Sequence, residues 1–309
     1  MNNVKVAIIV LTYNEAEYVS QTLDSLLAQK CQFKYKIYVN DDGSKDGTDV
    51  ILKKYAANYP NMIDLQINKK NLGISANYFN AIERSESDYI AECSGDDWWC
   101  DEYKLQKQVD YLESRREIGL VYTRVKTFSN GEYKELPLGK DSSFEYMVFN
   151  YTPFSALTVC FRRDLADRYI KEINPVSHKW CMEDLPMWMW MSQVSKFGYI
   201  NDTTSVYRLR SGAATNFTSF EKEYNFMNGT YIVKDFFLHY FHKEHLLPSL
   251  KYHFAELFLD LYLRYNKPMD DDVLNCYYKY TIKDGKKYIK YMASKYSVLR
   301  NLYNRIRHH

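Results

Sequence analysis

Two aspartates stand side by side in Ser94-Gly95-Asp96-Asp97-Trp98-Trp99, directly after Asp88-Tyr89-Ile90-Ala91-Glu92-Cys93. The preceding run reads as a strand, so the carboxylates sit at its C-terminal end, one of them just past a glycine. Mg²⁺ is usually held by one or two carboxylates together with substrate phosphates. In an open α/β sheet, ligands bind beyond the C-terminal ends of strands. The stretch has the makings of a metal–diphosphate platform; the plainer alternative is a surface turn, since Asp and Gly are common turn residues. A second acidic pair, Glu183-Asp184, opens a segment rich in Met and Trp. Acids in a first helical turn complement the helix dipole. Two adjacent carboxylates also raise each other's pKa, which suits a general base acting on a hydroxyl.

The elements that must position these residues follow from hydrophobic pattern. Lys5 to Leu11 is a continuous apolar, largely β-branched run, as expected of a strand buried on both faces of a parallel sheet. Lys36 to Asn40, Ile63 to Ile67 and Tyr89 to Cys93 read as further strands, with helices over Glu17–Gln29, Asp49–Tyr59 and Ile74–Arg84 between them. Alternating strands and helices predict an α/β fold with a mostly parallel, Rossmann-like sheet flanked by helices. The polar loops Thr12–Glu15, Asp41–Thr48 and Ser94–Asp97 then meet at one sheet edge, where a nucleotide is expected. A helix over Tyr103–Arg116, a strand over Leu120–Phe128 and strands at Ser155–Phe161, Tyr199–Ile200 and Ser205–Leu209 follow; Phe144–Tyr151 is ambiguous. Beyond Phe220 the pattern is helical and aromatic, which places a boundary there: 1–219 as the α/β domain, 220–309 as a tyrosine-rich, basic helical extension.

The 309 residues carry a formal net charge of only +2, so bulk charge points to no partner. Its distribution is uneven: from Tyr277 to His309 there are nine Lys/Arg and one acid, Asp284. Tyr288, Ile289, Met292, Tyr296, Leu299, Leu302, Tyr303 and Ile306 fall near one face of a helix over 286–307, with basic residues around them. Such a helix either lies on an anionic membrane surface or packs on its own domain or a second subunit. The six cysteines show no CxxC spacing, and no Cys/His cluster suggests zinc. No stretch reaches the ~18 apolar residues of a membrane span, and the N-terminal apolar run is too short for a signal peptide. A cytoplasmic protein, peripheral at most to the inner face of the membrane, is expected. No P-loop and no Gly-x-Gly-x-x-Gly is present, and nucleic acid is not expected as a partner.

Five segments in order, VAIIVLTYNE, VNDDGSKDGT, NLGISANYFNAI, DYIAECSGDDWW and MEDLPMW, resemble the inverting family 2 glycosyltransferases of the GT-A fold, of the type that builds bacterial surface polysaccharides. The resemblance covers about residues 4 to 211. It implies transfer of a sugar from a nucleotide sugar, UDP-linked by default, to a glycan or lipid-linked acceptor. By the same resemblance, Thr12, Tyr13 and Glu15 flank the base and ribose. Asp42 accepts from the base, with Asp41 beside it. Asn71, Gly73 and Asn77 approach the ribose or diphosphate. Asp96 and Asp97 hold Mn²⁺ or Mg²⁺, and Asp184 is the catalytic base, with Glu183 the alternative. Arg208 is a candidate cation for the leaving diphosphate. The sequence departs from the family pattern at Ser94, where an Asp is common, at Tyr78-Phe79, where Arg-Asn is common, and at Leu209, where many relatives have His. Two other readings keep the fold: a non-catalytic nucleotide-sugar-binding subunit, and a nucleotidyltransferase. The Thr-Tyr-Asn-Glu loop after the first strand has no Gly or Lys/Arg to hold a triphosphate, which argues against the latter.

Overall fold

The first strand, β1 (Val6–Thr12), is almost wholly buried along VAIIVLT, with only Leu11 partly exposed. Residues of this kind belong between two other strands with helices on both faces. In the computed structural model, which describes residues 4–136, 141–210, 217–269, 271–281 and 285–307, β1 pairs in parallel with β2 (Tyr35–Asp41) on one side and β4 (Tyr89–Ser94) on the other. Helix α1 (Val19–Leu27) links β1 to β2, α2 (Thr48–Asn58) links β2 to β3 (Ile63–Ile67), and α3 (Ile74–Arg84) returns the chain to β4. The order β3-β2-β1-β4 therefore reverses direction at β1, and such a reversal opens a crevice at the C-terminal strand ends.

The sheet continues through β5 (Trp98–Trp99), α4 (Lys104–Glu113), β6 (Ile118–Ser129), β7 (Glu132–Glu135), α5 (Phe144–Phe149), β8 (Cys160–Arg162), α6 (Arg163–Ile173), α7 (Pro175–His178), α8 (Asp184–Val194) and β9 (Lys196–Arg208). β8 runs antiparallel to β4, β6 antiparallel to β8, and β9 parallel to β6, completing the order β3-β2-β1-β4-β8-β6-β9-β5. The expected α/β sheet flanked by helices is present. One face carries Val6, Ile8, Val10, Ile37, Val39, Ala91 and Cys93 against Val19, Leu23, Leu105 and Leu112 of α1 and α4. By strand alternation, Ile90 and Glu92 point to the other face. There Phe79, Tyr169 and Trp190, from α3, α6 and α8, lie in succession with ring centroids 5.9 and 5.7 Å apart.

Three local expectations change. Ser155–Phe161 is not one strand: a 3₁₀ turn at Ala156–Thr158 precedes β8, because Thr158 bonds back to Ser155 through both its amide (2.9 Å) and its hydroxyl (2.7 Å). Tyr199–Ile200 and Ser205–Arg208 are parts of the single strand β9, which ends before Leu209 and whose polar middle sits at register shifts against β6. Phe144–Tyr151 resolves into α5, capped by Ser143, whose hydroxyl accepts from the Tyr146 amide at 3.2 Å.

The chain divides into two compact units, Met1–Arg210 and Ser211–His309. The second consists of α9 (Phe220–Tyr240), α10 (Leu247–Arg264), α11 (Asp271–Thr281), α12 (Gly285–Lys295) and α13 (Ser297–Arg307). Val233, Phe237, Leu250, Phe254, Leu259 and Leu263 form its interior. The single helix expected over 286–307 is two helices, broken at Tyr296. Arg300 turns inward, with Nε on Asn266 Oδ1 (3.2 Å) and Nη1 on the Ser294 carbonyl (3.3 Å) near the end of α12.

Candidate active site

The loops after β1 and β2 are built on each other. Thr12, the last residue of β1, donates its hydroxyl to Asp41 Oδ1 at 2.9 Å; the Ser44 amide reaches Asp41 Oδ2 (3.0 Å) and the Ser44 hydroxyl Oδ1 (2.5 Å). Asp46 accepts from the Ala16 amide at 3.0 Å, and Thr48 Oγ1 accepts from the Glu15 amide at 2.8 Å. The aspartate-glycine motif therefore fixes the path of Tyr13-Asn14-Glu15. Gly43 lies at φ +77°, and a Cβ there would come 3.2 Å from the Asn68 carbonyl, so the turn needs glycine.

Asp42 faces the loop after β3. Its Oδ1 accepts from Asn68 Nδ2 (3.0 Å) and the Leu72 amide (2.8 Å), its Oδ2 from the Gly73 amide (3.0 Å). Asn68 Nδ2 also reaches Asn77 Oδ1 (2.8 Å), and Asn77 Nδ2 donates to the Asn40 carbonyl (3.1 Å). Asn71 Oδ1 accepts from the Gly73 amide at 3.0 Å and is exposed; Tyr13 is 48 % exposed. Asp42, Asn71, Gly73 and Asn77 thus form one group beside the end of β2.

The loop after β4 closes on the first motif through Gly95. Its amide donates to the Leu11 carbonyl (2.9 Å) and its carbonyl accepts from Thr22 Oγ1 (2.8 Å). A Cβ at Gly95 would collide with Glu15 Oε2 and come 2.6 Å from Thr12 Cγ2. This contact brings Glu15, Asp96 and Asp97 to one rim. Arg210 Nε donates to Asp96 Oδ2 (2.7 Å) and its Nη2 to Glu15 Oε1 (3.1 Å), while the buried Glu15 Oε2 has no hydrogen-bond partner among the described residues. Burial, then the charge of Asp96, pushes the Glu15 carboxyl well up; Arg210 opposes the shift. Asp97 is buried and accepts from the Arg208 amide at 2.8 Å; burial and then Asp96 raise it well above the usual carboxylate range.

The Arg208 guanidinium does not hydrogen-bond either carboxylate. Its guanidinium lies 4.6 Å from the Trp98 ring centroid and 4.7 Å from that of Tyr18, with Nε on the Asp96 carbonyl (2.8 Å) and Nη2 on Gln21 (2.6 Å). Arg210, which sequence reasoning missed, is the cation at the acidic rim. The available signal was its spacing: two residues past Arg208 on an extended chain puts both on one side. Asp96 and Asp97 offer the hard oxygen donors that Mg²⁺ or Mn²⁺ takes with a diphosphate, and the orphaned Glu15 Oε2 beside them is short of a positive partner. Among the described residues no three His, Cys, Asp or Glu side chains are placed to hold a metal alone. The donor set therefore fits a cation completed by substrate phosphates.

The N-terminus of α8 carries the second acidic pair. Asp184 Oδ1 accepts from the Leu185 amide at 2.6 Å. Burial, reinforced by Asp184, pushes Glu183 up to about 8; burial also raises Asp184, while the Leu185 amide holds it back. Of the two, Asp184 is the one the chain favours in its ionised form. A cleft of about 280 Å³ runs between the end of β4 and α8, lined by Leu11, Tyr78, Glu92, Ser94, Leu157 and Glu183 among others. Trp188 and Trp190 are wholly buried, and Trp98 is nearly so.

Residues 7–168 match the family described as glycosyl transferase family 2. The chain is similar to the putative glycosyltransferase EpsE of Bacillus subtilis, 30 % identical over 206 residues that cover 67 % of this chain and 73 % of that protein. Its fold is similar to that of S. aureus TarS in complex with UDP (TM-score 0.59, 17 % identity, 97 % of this chain and 91 % of that one). It is also similar to that of the mannosyltransferase PcManGT of Pyrobaculum calidifontis with GDP-Man and Mn²⁺ (TM-score 0.56, 15 % identity, 98 % and 87 %). Other relatives are longer: an uncharacterized protein of Mycobacterium tuberculosis is 31 % identical over 147 residues, which span 46 % of this chain but only 42 % of its length. By the extent of the family match and the EpsE likeness, the chain belongs to glycosyl transferase family 2.

Proposed function

We propose that this chain transfers a sugar from a nucleotide-sugar donor to an acceptor hydroxyl, with inversion at the anomeric carbon. The observation that supports this reading is a cleft lined by Ser94, two residues before the Asp96-Asp97 pair, and by Glu183, next to Asp184 at the start of α8. A single displacement needs a leaving diphosphate on one side of the sugar and a base on the other. Asp184 is the base, since the Leu185 amide favours its charged form while Glu183 keeps its proton to about 8. Asp96 and Asp97 are the residues that would hold Mn²⁺ or Mg²⁺, which neutralises charge on the diphosphate as the glycosidic bond breaks. Thr12, Tyr13, Glu15, Asp41 and Asp42 frame the nucleotide, with Asn71, Gly73 and Asn77 at its edge. UDP is the default nucleotide, in keeping with the TarS complex, and GDP the second choice, in keeping with PcManGT.

Surface-polysaccharide synthesis is the setting proposed, with a glycan or lipid-linked saccharide as acceptor; relatives include proteins named for teichoic and teichuronic acid biosynthesis. Among the described residues no helix is long and apolar enough to cross a membrane. We infer a peripheral contact with the inner membrane face through 286–307, because Ile289, Val298, Leu299 and Leu302 are exposed in a segment that is otherwise basic.

The test is turnover. A thermal-shift screen of UDP- and GDP-sugars with Mn²⁺ identifies the donor, since a ligand bound only by the folded state raises its melting temperature. Asp184→Asn is then expected to leave that shift in place while donor transfer or hydrolysis falls about 10²–10⁴-fold, the range for a lost general base. A wild type that binds donor and never turns it over with any acceptor favours a binding subunit and overturns the enzyme reading.

A further inference from the structure

The central strand β4 contains a carboxylic acid that the mechanism above does not use. Glu92 lies in parallel register with Ile9 of β1, between Ala91 and Cys93, in the middle of an otherwise apolar sheet. It is 6 % exposed. Burying a carboxyl in such a place costs several kcal/mol of solvation, on the order of what a large core side chain contributes by being buried. A leucine would fill the position without that cost.

What surrounds Glu92 is asymmetric. The Tyr78 hydroxyl, itself buried on α3, donates to Glu92 Oε1. Glu92 Oε2 has no hydrogen-bond partner among the described residues, and Glu92 lines the cleft together with Tyr78, Ser94 and Glu183. Ser94 stands two residues from Asp96 at one end, and Glu183 stands beside Asp184 at the other. A sugar that enters this cleft therefore meets Glu92, which also lies close enough to Glu183 and Asp184 to feel their charge.

Resting on the glycosyl-transfer reading, we propose that Glu92, oriented by Tyr78, is a specificity-determining residue: its Oε2 hydrogen-bonds an oxygen of the transferred sugar in the cleft between β4 and α8. The protonation state follows from the surroundings. Burial first, and then the negative charges of Glu183 and Asp184, drive the Glu92 carboxyl well above its ordinary value; the Tyr78 bond and the more distant Lys104 oppose this. Tyr78 donates to Oε1, which leaves Oε2 to carry the proton of the neutral acid. Glu92 therefore acts as a neutral donor toward a sugar hydroxyl oxygen or acyl carbonyl. A site built around one such hydrogen bond discriminates against sugars that lack a matching acceptor, because its buried polar group is then left unpaired.

The substitution Glu92→Gln imitates the neutral acid: its amide oxygen accepts from Tyr78 and its amide nitrogen donates. Glu92→Leu removes the group and keeps the volume roughly constant. The probes are UDP-glucose, UDP-galactose, UDP-N-acetylglucosamine and GDP-mannose, each titrated beside UDP or GDP with Mn²⁺ on the full chain. For the sugar nucleotide that wild type binds best, Glu92→Leu is expected to weaken affinity about tenfold, the scale of one hydrogen bond. UDP or GDP alone should bind as before, and Glu92→Gln should stay within about threefold of wild type. The ratio of kcat/KM between epimeric donors should flatten in Glu92→Leu. Equal loss for the nucleotide and the nucleotide sugar, or no loss for either, overturns the proposal. Loss in Glu92→Gln as large as in Glu92→Leu overturns the neutral-donor form of it. If wild type binds UDP or GDP but no nucleotide sugar more tightly, the transfer reading fails first and this proposal falls with it.

Discussion

Asp41 and Asp42, at the end of β2, each accept three hydrogen bonds from the chain itself. Glu15, in the loop after β1, and Glu92, on β4, are buried yet poor in donors, and Glu183 at the start of α8 is half-buried: among the described residues Glu15 Oε2 has no hydrogen-bond partner, and Glu92 accepts only from Tyr78. The first group is tied down by protein amides and hydroxyls, so its acids act as staples between loops. The second group is held toward the neutral form by burial and mutual repulsion. Folding alone does not explain acids of the second kind, whose removal would relieve desolvation. Under the function proposed above, their position at the rim and in the cleft supplies the reason: substrate or cation is the missing partner. The difference teaches that acids of both kinds occur in one α/β unit, and that partner count separates them where residue type does not.

The largest expected consequence is for stability. Asp42→Ala leaves the Leu72 and Gly73 amides and Asn68 Nδ2 without their acceptor. Hydrogen bonds to a charged group are worth about 1.5–3 kcal/mol each; with partial rescue by water at this loop, a loss of about 2–4 kcal/mol is expected. Urea unfolding of Asp42→Ala beside Glu15→Gln measures the contrast. The Glu15 variant should unfold at or above the wild-type midpoint. A Glu15 variant as destabilised as the Asp42 one would erase the distinction between the two groups.

A smaller effect, and a sharper test of the second group, lies in pH dependence. An acid whose folded pKa is raised binds more protons in the folded state than in the unfolded one. Stability then falls as pH rises from the unfolded pKa toward the folded one. For Glu183 that window runs from the ordinary 4.5 to about 8; Glu15, Glu92 and Asp97 push in the same direction. The wild type should therefore lose stability through this range, and Glu183→Gln should show a shallower slope. Denaturant midpoints at intervals across the window give the slopes. Identical slopes would mean that Glu183 titrates as an ordinary surface carboxylate.

Much of the architecture was readable because it depends on local pattern. The β-branched run of β1, the glycine-punctuated loop after β2 and the paired aspartates after β4 announce themselves within a few residues each. What escaped depends on partners far off in the chain. Arg210 meets Asp96 and Glu15 from 114 and 195 residues away. Glu92 reads as one polar letter in a strand until α3 brings Tyr78 to it. Asp46 and Thr48 could be read as loop residues, but not as the hooks that hold Ala16 and Glu15. The register shifts of β9 and the break at Tyr296 likewise arise from pairing and packing, which periodicity within one segment cannot register.

The C-terminal unit offers the mildest perturbation and extends the contrast from acids to apolar groups. In α13 the usual arrangement is inverted: Arg300 is 8 % exposed and Asn304 donates to the Leu263 carbonyl at 2.8 Å, while Val298 is 77 % and Leu302 55 % exposed. From Gly285 to Arg307 there are seven Lys/Arg and no acid. Polar groups used inward and apolar groups left outward among cations match an anionic bilayer, where each nearby Lys or Arg adds about 1 kcal/mol of attraction. The double substitution Val298→Glu/Leu302→Glu should leave the urea midpoint nearly unmoved, since exposed changes usually stay within about 0.5 kcal/mol. It should also abolish co-flotation with phosphatidylserine-containing liposomes. A lowered midpoint would show that this face is packed against protein, making these residues the apolar counterpart of Asp42 rather than of Glu92. Unchanged flotation with an unchanged midpoint would place any membrane contact elsewhere, because the face carrying the strongest outward apolar signal would then have no partner that reads it.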